Sequence, residues 1–307
     1  MKRKVIQLAG KTLVVSLPSK WARQNNVKKG QEVDVEEKGH DLLIKTQSVP
    51  EEMKKSFDAK GISERVFRWS LSSLHKQGYD EIEVLFDNPK VLEWLDDLVK
   101  NLFIGFVIVD QSGKRCLVRR ISQEMDKEFD TALRRAFLVT ISLGESMIEL
   151  YKKKERVRFA ELVSLEKTNN QLTNFCERIL NKMGHPDPKK TCFYYAIVWN
   201  TEKICDDLKY FCKYISLSKN KKIRFSADVL TFLEHAIKFF KDFYAIVYKF
   251  DFRQLEALNE ERKRFLREKE KYLKAKTPEE IVLLDYLLSF IIKIDEYSAS
   301  MIAVKME

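Results

Sequence analysis

The chain lacks most of the features that announce a chemistry. Its five cysteines, Cys116, Cys176, Cys192, Cys205 and Cys212, are odd in number and form no Cys-x-x-Cys pair. That argues against a disulfide framework and for reduced thiols serving as small core hydrophobes in a cytosolic protein. No uninterrupted apolar run approaches the roughly 18 residues that cross a bilayer; the longest are FYAIVY and FIGFVIV. The opening MKRK is followed by too few apolar residues before Gly10 and Lys11 for a signal peptide. A soluble, cytoplasmic protein without membrane insertion is expected. Catalytic signatures are missing too. His40, His75, His185 and His235 are scattered, and there is no His-Glu-x-x-His, no Gly-x-Ser-x-Gly, no P-loop and no kinase motif. Gly105 stands alone in a strand pattern, where packing explains it better than phosphate binding. No enzyme is expected.

What is present is apolar mass and positive charge. A chain of 307 residues, 45% of them apolar, can bury a sizeable core and should hold two or three domains. The formal net charge is +10, which makes a polyanion a plausible partner without bearing on the fold. Residues 1–48 carry ten Lys/Arg against five Asp/Glu, residues 49–121 twelve of each, and residues 122–307 carry 34 against 29. The excess is therefore densest, per residue, at the N-terminus.

Periodicity divides the chain in the same places. Over residues 1–48, Leu13, Val15 and Leu17 alternate, as do Val33 and Val35, then Leu42 and Ile44; Pro18 stops the second strand, and Ser19 can cap a short helix carrying Trp21. Gly39 marks a hairpin turn, and the order is β-β-α-β-β. A unit this small, without disulfides or metal, sits near the limit at which burial offsets conformational entropy. It needs a partner, and a second copy of itself is the simplest one. After the polar linker SVPEEMKK, residues 51–121 read as αβαββ: a helix with Val66, Phe67, Leu71 and Leu74, a strand with Ile82, Val84 and Phe86, a helix begun by Asn88-Pro89, then a hairpin. Arg119 and Arg120 end the last strand as solvated charge. From Ser122 the period is helical, with stripes such as Phe129, Leu133, Phe137, Thr140, Gly144, Met147 and Tyr151, and a last helix opened by the capping box Thr277-Pro278-Glu279-Glu280. Six long helices are expected to form two three-helix bundles, about 122–218 and 222–307, packed end to end.

Two resemblances follow from these residues. RKVIQLAGKTLVVSLPSKWARQNNVKKGQEVDVEEKGHDLLIK resembles the SpoVT-AbrB swapped-hairpin domain, in its basic first strand, turn glycine, proline-stopped second strand and KKG turn. The resemblance implies a homodimer that binds DNA through basic residues, and Arg3, Lys4, Lys11, Lys20 and Arg23 are the matching candidates. Clustered cations neutralise phosphates whatever the sequence, and lysine lacks the bidentate fork that reads guanine. The helical part resembles PhoU, the phosphate-uptake regulator family. TEKICDDLKYF follows that family's Glu-x-x-x-Asp pattern with Glu202 and Asp206, and IIKIDEYSASMI keeps Asp295 but has Ile291 where the glutamate belongs. The resemblance implies a divalent metal ion held by these carboxylates, since oxygens four residues apart stack on one helical face. In both places the plain alternative is a solvated charged surface, with Glu202 and Asp206 lying off the apolar stripe.

Together these imply a mainly α, multi-domain regulator: an AbrB-like dimerisation and DNA-binding head, an α/β connector, and a PhoU-like body that senses or binds a component of phosphate uptake. The alternative is an adaptor that docks on a phosphate-transporter ATPase or signalling partner, its head serving only to dimerise. A toxin-neutralising role is disfavoured, because such relatives end in a short disordered tail.

Overall fold

The computed structural model describes residues 2–38, 41–46, 52–121, 128–217, 223–274 and 276–306. They divide into two compact units, Met1–Glu52 and Met53–Glu307. The expected turn at Gly39, the first half of the SVPEEMKK linker and the helix start at Ser122 lie outside the described residues.

In the first unit, β1 (Ile6–Leu8) and β2 (Thr12–Val14) form an antiparallel hairpin with Ile6 opposite Val14 and Leu8 opposite Thr12. The connection is three residues long, Ala9 to Lys11, and both Ala9 and Gly10 have positive φ, 48° and 78°. Helix α1 (Ser19–Gln24) follows Pro18, which sits at the N-cap; Ser19 lies inside the helix and does not cap it. A second hairpin pairs β3 (Val33–Lys38) with β4 (Asp41–Thr46), Val35 opposite Ile44. The two hairpins are separate two-stranded sheets.

The second unit opens with a strand the sequence pattern does not reveal. β5 (Lys54–Asp58) falls in what reads as polar linker, yet it pairs in parallel with β6 (Glu81–Leu85). Between them runs α2 (Glu64–Lys76), and α3 (Lys90–Asn101) leads into the hairpin of β7 (Phe106–Ser112) and β8 (Arg115–Arg120). The layer is thus βαβαββ, with strand order β5-β6-β8-β7. Ile82, Val84, Cys116 and Val118 alternate onto one face and form a core with Phe67 and Leu71 of α2 and Val91 and Leu95 of α3.

The helical body comprises α4 (Phe129–Lys153), α5 (Phe159–Met183), α6 (Thr191–Leu217), α7 (Ala227–Tyr248), α8 (Phe252–Leu273), α9 (Pro278–Glu296) and α10 (Ser298–Lys305). The α4 stripe is buried throughout its length. The capping box at Thr277 is present, with both reciprocal hydrogen bonds. The two groups of helices lie side by side and not end to end. Along α4, Phe137 stacks on Phe240 of α7 at 5.8 Å and Lys152 meets Glu234. Along α6, Asp207 binds Lys293 of α9 and Tyr210 stacks on Tyr286. One continuous apolar core results. It is distinct from the core of the α/β layer. Among the described residues no helix is long and apolar enough to cross a membrane.

Candidate nucleic-acid interface and the charged seam of the bundle

None of the described residues from 2 to 46 is buried. Hairpin β1–β2 is apolar on both faces: Ile6, Leu8 and Val14 lie on one, Leu13 on the other, with Leu8 58% and Leu13 69% exposed. A ladder apolar on both sides is built for burial on both sides. Hairpin β3–β4 is apolar on one face, where Val33, Val35, Leu42 and Ile44 share a register. All five candidate cations are exposed. Arg3 and Lys4 precede β1, Lys11 lies in the turn at the hairpin's other end, and Lys20 and Arg23 lie one turn apart on α1. Arg23 donates from Nε to the Ser19 carbonyl at 3.3 Å. Within one chain these cations do not form a single cluster: about four strand residues, roughly 13 Å, separate Lys4 from the turn.

The carboxylates singled out for metal binding are placed differently from a metal site. Glu202 and Asp206 are largely covered, 13% and 14% exposed, in a seam between α5 and α6. Lys203 Nζ lies 3.1 Å from Glu202 Oε1 and 3.7 Å from Asp206 Oδ2. Lys209 reaches Glu166 Oε1 on α5 at 2.8 Å and also Asp206 Oδ1. Asp295 is elsewhere engaged, with Arg262 of α8 at 2.8 Å. The three carboxylates are not brought together, and among the described residues no group of three or more His, Cys, Asp or Glu is arranged to hold a metal. The residues present do not fit the divalent ion: its place between Glu202 and Asp206 is taken by ammonium groups.

The seam continues toward the α/β layer. Glu177 on α5 is fully buried and its Oε2 lies 2.6 Å from Lys76 Nζ at the end of α2, an ion contact outside hydrogen-bond alignment. Lys76 and Lys203 lie over the Trp199 ring at 5.1 and 5.0 Å. Burial pushes the Glu177 carboxyl above its usual range, against the pull of Lys76. Burial alone would lower the Lys209 ammonium, but hydrogen bonds to Asp206 and Glu166 outweigh it and hold it above its ordinary value.

The next residue of α5, Arg178, grips the same end of α2. Its Nη1 donates to the carbonyls of His75 and Tyr79 at 2.8 and 2.7 Å, and Nη2 donates to Asp80 Oδ1 at 2.7 Å. Lys182 Nζ reaches the same oxygen at 2.5 Å and Arg120 Nη1 at 3.4 Å. Arg120, expected as a solvated strand end, is therefore a nearly buried partner of Asp80. Sequence reasoning missed Asp80, Glu177 and Arg178. The available signal was charge inside a buried arc of α5, beside Phe175 and Ile179. The histidines do not converge: His75 is fully buried and stacked 4.4 Å from Phe103, kept neutral by burial and the charge of Arg178, while His185 stacks on Tyr194. Four of the five cysteines are buried and Cys192 is exposed.

Residues 6–52 match the family described as antidote-toxin recognition MazE, bacterial antitoxin. The N-terminal unit is thus a MazE/AbrB-type swapped-hairpin domain, a type associated with dimerisation or DNA binding. No curated protein and no solved structure matches the chain. PhoU is not identified among these matches.

Proposed function

We propose that the chain is a homodimeric DNA-binding regulator of phosphate uptake, with the helical body as its sensor or interaction module. The observation that carries the dimer is the absence of any buried side chain among the described residues 2–46. Ile6, Leu8, Leu13, Val15, Val35 and Leu42 are all exposed. At about 1.5–3 kcal/mol for each such side chain fully removed from water, their burial is worth on the order of 10 kcal/mol per protomer, comparable to the cost of association. Interleaving hairpins from two copies supplies that burial, with both faces of β1–β2 covered.

Pairing also brings two sets of Arg3, Lys4, Lys11, Lys20 and Arg23 onto one particle, none of them ion-paired among the described residues. Such a surface binds phosphate backbones with steep salt dependence and reads bases weakly. Gel-shift titration of the full chain across salt concentrations tests this. The pair Lys4→Glu and Lys11→Glu removes four cations per dimer, and should flatten the slope of log K against log salt by about 3 to 4. Unchanged affinity and slope would sink the DNA role.

A second reading draws on the spread of these cations over both ends of the hairpin: they are solvated charge, the head only dimerises, and the body docks on a phosphate-transporter ATPase or signalling partner. In that case the same double substitution leaves both the dimer and the capture of such a partner unaltered.

A further inference from the structure

The seam between α5 and α6 contains four carboxylates, Glu166, Glu177, Glu202 and Asp206, and three ammonium groups, those of Lys76, Lys203 and Lys209. Every carboxylate touches an ammonium, and Lys203 and Lys209 each touch two carboxylates. Carboxylates at i and i+4, backed by a third from the neighbouring helix, are the oxygen set a hard divalent cation uses. Here that set is filled from within.

We propose that the seam is a cation site whose cations are the chain's own lysines, so that Lys203 and Lys209 do the work a divalent metal would do between Glu202, Asp206 and Glu166, and exclude that metal. Three features support the assignment. First, the lysines are held: Lys209 spans α6 to α5 at hydrogen-bond distance from Glu166 and Asp206, and Asn170 Nδ2 donates to the same Glu166 oxygen at 2.5 Å. Second, both lysines stay charged, because hydrogen bonds and the charges of Glu202, Asp206 and Glu166 outweigh the burial that would lower their pKa. Third, an entering dication would have to expel two ammonium groups that remain tethered one turn away, and like charges so close repel. Lys76 extends the arrangement to α2, so the seam cross-links the bundle to the α/β layer without a ligand.

The test is Mn2+ titration of the full chain, following free Mn2+ by electron paramagnetic resonance alongside the melting temperature. Wild type should release all added Mn2+ at micromolar protein, and its melting temperature should be indifferent to EDTA. The pair Lys203→Met and Lys209→Met leaves Glu166, Glu202 and Asp206 without their cations and should bind one Mn2+ at least tenfold tighter than wild type, with a melting temperature that rises on metal addition. Near-UV circular dichroism establishes that the variant is folded; if it is not, Lys203→Met alone takes its place, with a smaller gain expected. Tight Mn2+ binding by wild type that Asp206→Asn abolishes would overturn the proposal. So would a folded variant that binds no better than wild type, since the lysines would then not be what excludes the metal.

Discussion

Replacing Arg178 by methionine keeps most of the side chain's length and apolar stem but removes three hydrogen bonds at once, to the carbonyls of His75 and Tyr79 and to Asp80. Hydrogen bonds involving a charged group are worth about 1.5–3 kcal/mol each, and removing one member of a buried ion pair costs about 3–5 kcal/mol. The loss is bounded because Asp80 keeps Lys182 and Arg120 as partners. Arg178→Met should therefore cost about 3–4 kcal/mol, or roughly 10 °C in melting temperature for a unit of this size. Asp80→Asn should cost more. It leaves three cations crowded around a neutral amide, and Asp80 Oδ2 also accepts from the Met53 amide, which fixes β5. The ordering has a pH counterpart. Burial alone would raise the Asp80 carboxyl, but the Lys182 and Met53 hydrogen bonds and the charges of Lys182 and Arg178 outweigh it and hold it below the usual range. Its stabilisation is then fully present above about pH 4 and is lost as pH falls through the lower folded value; Asp80→Asn should abolish that acid limb. Urea unfolding of the full chain, with a double-mutant cycle over the two sites, measures each quantity. A loss below about 1 kcal/mol for Arg178→Met, or an Arg178→Met loss larger than that of Asp80→Asn, would refute the reasoning.

Three further outcomes are expected. A methyl placed on Gly144 would lie 2.3 Å from Cδ1 and 2.8 Å from Cγ1 of buried Ile237, so Gly144→Ala should lose about 1–3 kcal/mol to overpacking against about 1 kcal/mol of helix propensity gained; adding Ile237→Val, which removes Cδ1, should recover part, and a more stable single variant would contradict the close approach. Thr277→Ala removes the acceptor of the Glu280 amide in the α9 capping box and should cost about 1 kcal/mol by thermal unfolding. Glu177, raised by burial, favours folding when protonated: that contribution is complete below the unfolded value near 4.3 and fades as pH rises through the folded one. Glu177→Gln should accordingly flatten the stability profile above about pH 4.5 relative to wild type, and parallel profiles would show that Glu177 does not titrate in that range.

How far the chain could be read in advance depends on how far each element's fate is set by its own residues. The stripe of α4 was legible because a buried helix facing an apolar core keeps a 3.6-residue period, and every marked position on it is buried. The capping box was legible because its partners are three residues apart. β5 was not: Lys-Lys-Ser-Phe-Asp has one large apolar residue, and it is a strand because β6 offers an open parallel edge. Arg120 and Asp206 read as surface, since what meets them, Asp80 in one case and the Lys209 that reaches across to Glu166 of α5 in the other, is set by the fold and not by an apolar pattern. The head was legible for the same reason as α4: its alternation foretold both hairpins, and the apolar positions it marked at Leu13, Val15, Val35 and Leu42 stand exposed.

The joint between the α/β layer and the bundle gains its meaning from having two cores instead of one. An apolar contact between such cores could slide, since dispersion is non-directional. Guanidinium and ammonium groups aimed at carbonyls and one carboxylate cannot slide without losing partners that are buried. Neighbouring residues of α5 serve both networks: Arg178 holds the carbonyl end of α2 and Asp80, and Glu177 holds Lys76 at the same end. Because Lys76 shares the Trp199 ring with Lys203, displacing either lysine exposes the other's contacts. A substitution that displaces Lys203 from the Trp199 ring should therefore be felt at Lys76, at the end of α2. The expected sensitivity of that coupling is to ionic strength and lysine substitution, not to chelation.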